Sequence, residues 1–193
     1  APELPMELVE WLERLIVTVV PHMQLVIWWF LLLIWGTLRA DDAIHVVPSS
    51  LRLREDALLG SSWQTKVERK RRGTGIACLR AGLSKVDWCG IGFFLLALVC
   101  PWKMVNGRCD RDFLLWRPVG AGDDWEWENT HLDYDTALPL FRKLLDMAVD
   151  LMVQSGAVDG SENEARLRKI SRSATVHSCK NFVPHNAVHA NKN

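Results

Sequence analysis

A mostly helical α+β fold is what the pattern of this chain predicts, on three observations. Leu8, Trp11, Leu12, Leu15, Ile16 and Val19 recur at helical spacing. Residues 22–35 are apolar on nearly every side, as in a helix buried all round. Between residues 51 and 79 the pattern changes to short alternating or turn-bounded runs, which read as strands.

The elements come in order. Pro5 suits the first turn of the first helix and Pro21 ends it. Gly36 is a natural stop for the apolar helix. A short helix from about Arg39 to His45 comes next, closed by Pro48. Leu51-Arg52-Leu53-Arg54 alternates like a strand edge. Ala57 to Thr65 and Thr74 to Leu79 are two further strands, with the charged stretch Lys66 to Gly73 as their turn. Ser84-Lys85-Val86-Asp87 reads as a capping box for a helix over the apolar run 88–100. Asn106-Gly107 signals a tight turn, and Asp112 to Trp116 an extended segment running onto Pro118. Residues 119–133, rich in Gly, Asp and Trp, read as a loop. Thr136 caps a helix with Leu138, Phe141, Leu144, Leu145, Ala148, Leu151 and Met152 on its apolar side, closed by Gly156. Residues 157–165 read as a polar linker. A last helix starts near Thr175, and Pro184 kinks or ends it.

Length and composition suit one globular domain: 193 residues, 49% apolar and 24% charged. The zero formal net charge hides a segregation. Asp123 to Asp135 holds six carboxylates and no Lys or Arg, whereas after Glu164 there are six Lys or Arg and no carboxylate. The five cysteines form no CxxC and no zinc pattern, so a reducing, intracellular setting is expected. Leu25 to Trp35 is continuously apolar for only eleven residues. A spanning helix needs about 20, so core helices, and no membrane partner, are expected. No signal peptide is recognisable at the start.

The residues with chemical potential come in a definite order. Gly36-Thr37-Leu38-Arg39-Ala40-Asp41-Asp42 delivers an arginine at the end of the apolar helix, with a carboxylate three residues on. Gln64-Thr65-Lys66 opens a basic turn that continues through Arg69, Lys70, Arg71 and Arg72. Thr175-Val176-His177-Ser178-Cys179-Lys180 closes the series. This order resembles that of the tyrosine recombinase (phage-integrase-type) catalytic domain. There the first catalytic arginine sits in a G-L-R-x-S-E-like string, a lysine lies in a β-hairpin turn, and an H-x-x-R box lies on a later helix. The resemblance spans nearly the whole chain.

The resemblance implies Arg39, Lys66, His177 and Lys180 as catalytic residues, with Asp42 bracing the site. It implies a mostly helical α+β core with a small three-stranded antiparallel sheet and helices packed around residues 22–35. Duplex DNA is the implied partner, with a homo-oligomer assembled on it. Neither a metal nor another cofactor is required. The implied location is intracellular, and nuclear for a eukaryotic mobile element, the origin suggested by the string from His177 to Pro184. Arg69, Lys70, Arg71, Arg72 and Arg172 are expected to contact DNA.

The chemistry accounts for these residue types. Transfer of a DNA phosphodiester to a tyrosine places negative charge on the non-bridging oxygens, which guanidinium forks hold bidentately. A lysine protonates the leaving 5′ hydroxyl, and a histidine assists proton transfer from the nucleophile. Arg39, Lys66 and His177 are therefore expected within roughly 10 Å of each other, since such a site works by preorganised charge. The chain departs from the family twice. Lys180 stands where the family has arginine, keeping the charge but losing the fork. The only tyrosine, Tyr134, precedes the His177 box, whereas the family's nucleophile comes after it. Flanked by Asp133 and Asp135, Tyr134 is not assigned as catalytic. The chain thus reads as residues 1–193 of a single catalytic core, lacking the N-terminal DNA-clamping domain and the C-terminal tyrosine segment. Two other readings compete: a non-catalytic relic or DNA-binding module of the same fold, and a small helical membrane protein using residues 17–35 and 88–102.

Overall fold

A computed structural model describes residues 2–63, 74–121, 124–180 and 182. It is an α+β arrangement of helices with small antiparallel sheets. Helix α1 (Met6–Leu15) buries Leu8, Val9 and Leu12. Pro21 does not end it. The chain leaves helix after Leu15, and Pro21 is instead the first residue of α2 (Pro21–Trp35), where its missing N–H costs nothing. Every side chain from Leu25 to Ile34 in α2 is buried. Helices α1, α4 (Trp88–Val99), α5 (Tyr134–Gln154) and α7 (Val176–Lys180) all pack on α2, making it the core.

Gly36 stops α2 by a different route from the usual left-handed glycine. Its φ is −82°, and the next residue, Thr37, takes the positive φ of 51°. A Cβ on Gly36 would lie 2.7 Å from the Leu32 carbonyl oxygen and 3.1 Å from Leu38 Cγ, so the site needs glycine for closeness. Leu38 N–H then donates to the Leu33 carbonyl (3.0 Å), turning the chain into α3 (Ala40–Ile44).

Strands β1 (Arg52–Leu53), β2 (Ala57–Ser62) and β3 (Thr74–Leu79) form the expected three-stranded antiparallel sheet, in that order. The β2–β3 register runs from Ala57↔Leu79 to Ser62↔Thr74. The Asn106-Gly107 turn joins the short hairpin β4 (Met104–Val105) and β5 (Arg108–Cys109), with both turn residues at positive φ (50° and 75°).

Several expectations are corrected. The α4 cap is Asp87, whose carboxylate accepts from Gly90 N–H at 2.9 Å, rather than a Ser84 box. Ser84 serves another purpose: with Leu83 and Trp35 it supplies donors to the fully buried Glu13. Residues 119–133 are largely a hairpin of β6 (Trp116–Ala121) and β7 (Asp124–His131), not a loop. The period-two string Trp125-Glu126-Trp127-Glu128 carried that signal, hidden by its acidic composition. The expected linker gives way at Ser161 to α6 (Ser161–Ser173), a helix so polar that only Leu167 and Ser171 are buried. Asp133, not Thr136, caps α5, accepting from Thr136 N–H at 2.7 Å.

Among the described residues no helix is long and apolar enough to cross a membrane. All five cysteines are free thiols, and only Cys109 is partly exposed. Burial pushes the Cys100 thiol up to about 11 and raises Cys89 and Cys179 as well. Cys109 should therefore react first with a thiol reagent in the native state, the other four only on unfolding. Native and denatured thiol titration with peptide mapping checks this. Fast labelling of Cys78 or Cys89, whose sulfurs lie 3.9 Å apart in the core, would contradict the packing.

Candidate functional site

Arg39 is the N-cap of α3, half-buried, on the turn that leaves the end of α2. The ordinary alternative for this arginine is an ion pair with Asp42, three residues on. That pair is not formed. Asp42 Oδ2 accepts instead from the Arg39 backbone N–H (3.3 Å), closing the helix start. The Arg39 guanidinium has no hydrogen-bond or ion-pair partner among the described residues. Asp42 Oδ1 is buried with no donor among the described residues.

The sheet is stitched to this helix. Ser62 Oγ donates to the Asp42 carbonyl (2.9 Å), Trp63 N–H donates to the His45 carbonyl (3.1 Å), and Val46 bridges to Ser62. The His45 and Trp63 rings meet edge-on at 4.9 Å. Ser62 pairs with Thr74, the first residue of β3. Lys66, Arg69, Lys70, Arg71 and Arg72 belong to the segment between β2 and β3 and lie outside the described residues.

His177 and Lys180 lie on α7, His177 exposed and Lys180 half-buried at its last residue. Arg142 Nε donates to the Ala174 carbonyl (3.0 Å), holding the α6–α7 junction to α5. Ser178 Oγ accepts from Thr175 N–H (3.2 Å) to start α7. Phe182, just beyond it, meets Trp35 edge-on at 5.7 Å. The far end of α7 thus adjoins the end of α2, four residues before Arg39. Arg172 is exposed on α6.

Tyr134, the first residue of α5, lies against His177, ring centroids 5.9 Å apart. Its Asp133 neighbour is already engaged. The carboxylate is held below the usual range, first by the Thr136 backbone N–H and then by Arg117 at 3.4 Å. Arg117 also forks onto Glu128. A depressed folded-state value contributes stability above the unfolded value near 3.9, lost as pH falls through the folded one. Asp133→Asn, which keeps the cap, should therefore narrow the gap in denaturant midpoint between pH 7 and pH 3; an unchanged gap would contradict the pairing.

Two side chains hold this frame without being legible as such in the sequence. Glu13 accepts from Trp35 Nε1, Leu83 N–H, Ser84 N–H and Ser84 Oγ at 2.7–3.2 Å. Arg111 donates to the carbonyls of Cys100, Pro101, Phe113 and Leu114 at 2.6–3.1 Å and lies over Trp116. Among the described residues no cluster of His, Cys, Asp or Glu is arranged to hold a metal ion.

Comparison with protein-family models, curated proteins and solved structures finds no match to this chain. Its function must therefore be read from the geometry around α2, α3 and α7.

Proposed function

We propose that this chain is the DNA-binding catalytic core of a site-specific tyrosine recombinase. In this reading Arg39 holds the scissile phosphate, Lys66 and Lys180 supply charge and a proton, and His177 assists the nucleophile. Asp42 fixes the Arg39 backbone. The observation that carries it is the Arg39 guanidinium, which has no partner among the described residues, its nearby carboxylate binding backbone instead. Two arrangements support it: Ser62, the last residue of β2, bonds the Asp42 carbonyl of α3, and Phe182 brings α7 to the end of α2. The charge pattern suits capture of a phosphodiester, which needs preorganised cations rather than a metal.

The test is binding of a labelled random-sequence duplex across a salt series, then trapping on nicked duplexes. Wild-type affinity should fall linearly in log salt, and Arg39→Ala should weaken binding with a shallower slope. Arg39→Lys should restore binding, because charge survives, while any strand cleavage stays lost with the fork. Duplex binding indifferent to Arg39→Ala would remove the reading.

A second reading, a module of the same fold that binds duplex DNA without cutting it, is favoured by Lys180 in the family's second arginine position and by Tyr134 lying upstream of His177. Salt-dependent binding with no covalent adduct on any nicked duplex would select it.

A further inference from the structure

Helix α6 did not stand out in the sequence, and its charges are sorted along its length. Glu162 and Glu164 lie in its first turn, and the cations come after them. Two of these are already neutralised. Arg166 binds Glu7 at 2.7 Å, and Arg168 is held between Glu164 and Asp150, both at 2.8 Å. Lys169 and Arg172 are exposed and have no carboxylate partner among the described residues. They are three apart, so their Cβ atoms are neighbours about 5–6 Å apart on one face. Together with Ala165, Arg168 and Ser173 they line an open groove along α6.

We propose that Lys169 and Arg172 form a phosphate clamp for the backbone of duplex DNA, separate from the Arg39 site and feeding into α7. The proposal rests on the DNA-binding part of the reading above and not on its chemistry. Three observations favour this partner. The two cations are left over after Glu7, Asp150 and Glu164 have been taken by other arginines, so their charge is available to an external anion. The small flanking side chains of Ala165 and Ser173 leave the approach open. The platform is fixed: Ser171 Oγ bonds Asp146 and Leu167 is buried against the core, while Arg142 ties the junction with α7 at Ala174. A pair of cations on an anchored helix that leads into α7 can set the register of a strand relative to His177 without reading any base.

The competing explanation is a helix end stabilised by its own cations. It predicts an effect on melting and none on DNA. The experiment is duplex affinity over a salt series for wild type, Lys169→Gln/Arg172→Gln, Lys169→Arg/Arg172→Lys and Arg14→Gln. Arg14 pairs with Glu10 on α1 and serves as a control that is already ion-paired. The clamp predicts that the glutamine pair lowers the log–log salt slope by about 1.8, at about 0.9 per phosphate contact. The charge-preserving pair and Arg14→Gln should keep the wild-type slope, and all variants should melt together within a few degrees. A glutamine pair with the wild-type slope overturns the clamp and leaves the Arg39 reading standing. A wild-type chain with no salt-dependent duplex binding overturns both.

Discussion

Glu13→Ala should be among the most damaging single changes in this protein. Its carboxylate is completely buried and is the common acceptor for an indole N–H, two backbone N–H groups and a hydroxyl. Alanine takes the shared acceptor from all four donors, which sit on half-buried residues. Each such orphan costs about 1–3 kcal/mol, so the loss is on the order of 4 kcal/mol or more. That is a large part of the roughly 5–15 kcal/mol by which domains are stable. At about 2–4 °C per kcal/mol for a chain of this size, the melting temperature should fall by about 8–16 °C, where folding survives at all. Ser84→Ala removes one of the four donors and leaves the half-buried Val86 N–H, which donates to Ser84 Oγ at 3.2 Å, without its acceptor, so its cost should be about 1–2 kcal/mol. Glu13→Gln should fall between the two, because one oxygen becomes an NH₂ that faces donors. Thermal melts of the three variants give the order; an alanine variant as stable as wild type would mean that Glu13 is not the hub. The hub also explains why the loop before α4 is tied down. A Cβ on Gly82 would overlap the Glu13 carboxylate and come within 2.6 Å of Trp35 Cζ2.

Gly92→Ala should be destabilising although helix propensity argues the reverse. In an open helix interior alanine is favoured over glycine by up to about 1 kcal/mol. Here Gly92 is the point where α4 crosses α2, and a Cβ would occupy the space of the Trp28 indole. Trp28 is fully buried and belongs to the central helix, so neither partner can step aside cheaply. The helices must move apart, a form of overpacking that costs about 1–3 kcal/mol. Gly75→Ala is the control: nothing lies within 4 Å of the added carbon, and the change should stay within about 0.5 kcal/mol. Denaturant midpoints for both variants test the pair. Equal stabilities would mean that α4 does not rest on α2 through Gly92.

Much of the architecture was legible in the sequence, for an identifiable reason. Residues 22–35 have no polar face, so burial was the only stable outcome for them, and α2 is indeed the core. Strands β1 to β3 and the Asn106-Gly107 hairpin carry local signals in alternation and turn chemistry, which need no distant partner. The misreadings share the opposite property. Helix α6 has a charged composition and buries only Leu167 and Ser171, so its helicity depends on packing against α5. The hairpin of β6 and β7 puts carboxylates in a strand, where Arg117 holds one of them, Glu128, from across the pair. Pro21 reads equally as the end of one helix or the start of the next, and only the packing of α2 settles which.

The candidate site divides along the same line. The residue types and their order, Arg39, Asp42, Lys66, His177 and Lys180, are properties of the one-dimensional chain. So are the lysine in place of a second guanidinium and a sole tyrosine upstream of the histidine. Whether Arg39 is spent on Asp42 is not such a property, because an arginine and a carboxylate three residues apart can pair or not. The backbone geometry at the start of α3 directs the carboxylate to the Arg39 N–H and leaves the guanidinium without a partner among the described residues. The same holds for Lys169 and Arg172: in the chain they are two cations among several. Folding consumes their neighbours in ion pairs with Glu7, Glu164 and Asp150 and leaves these two exposed. Composition sets how many charges a chain carries. Which of them remain available is decided by the three-dimensional pairing, since a charge's partner is fixed by distance through space.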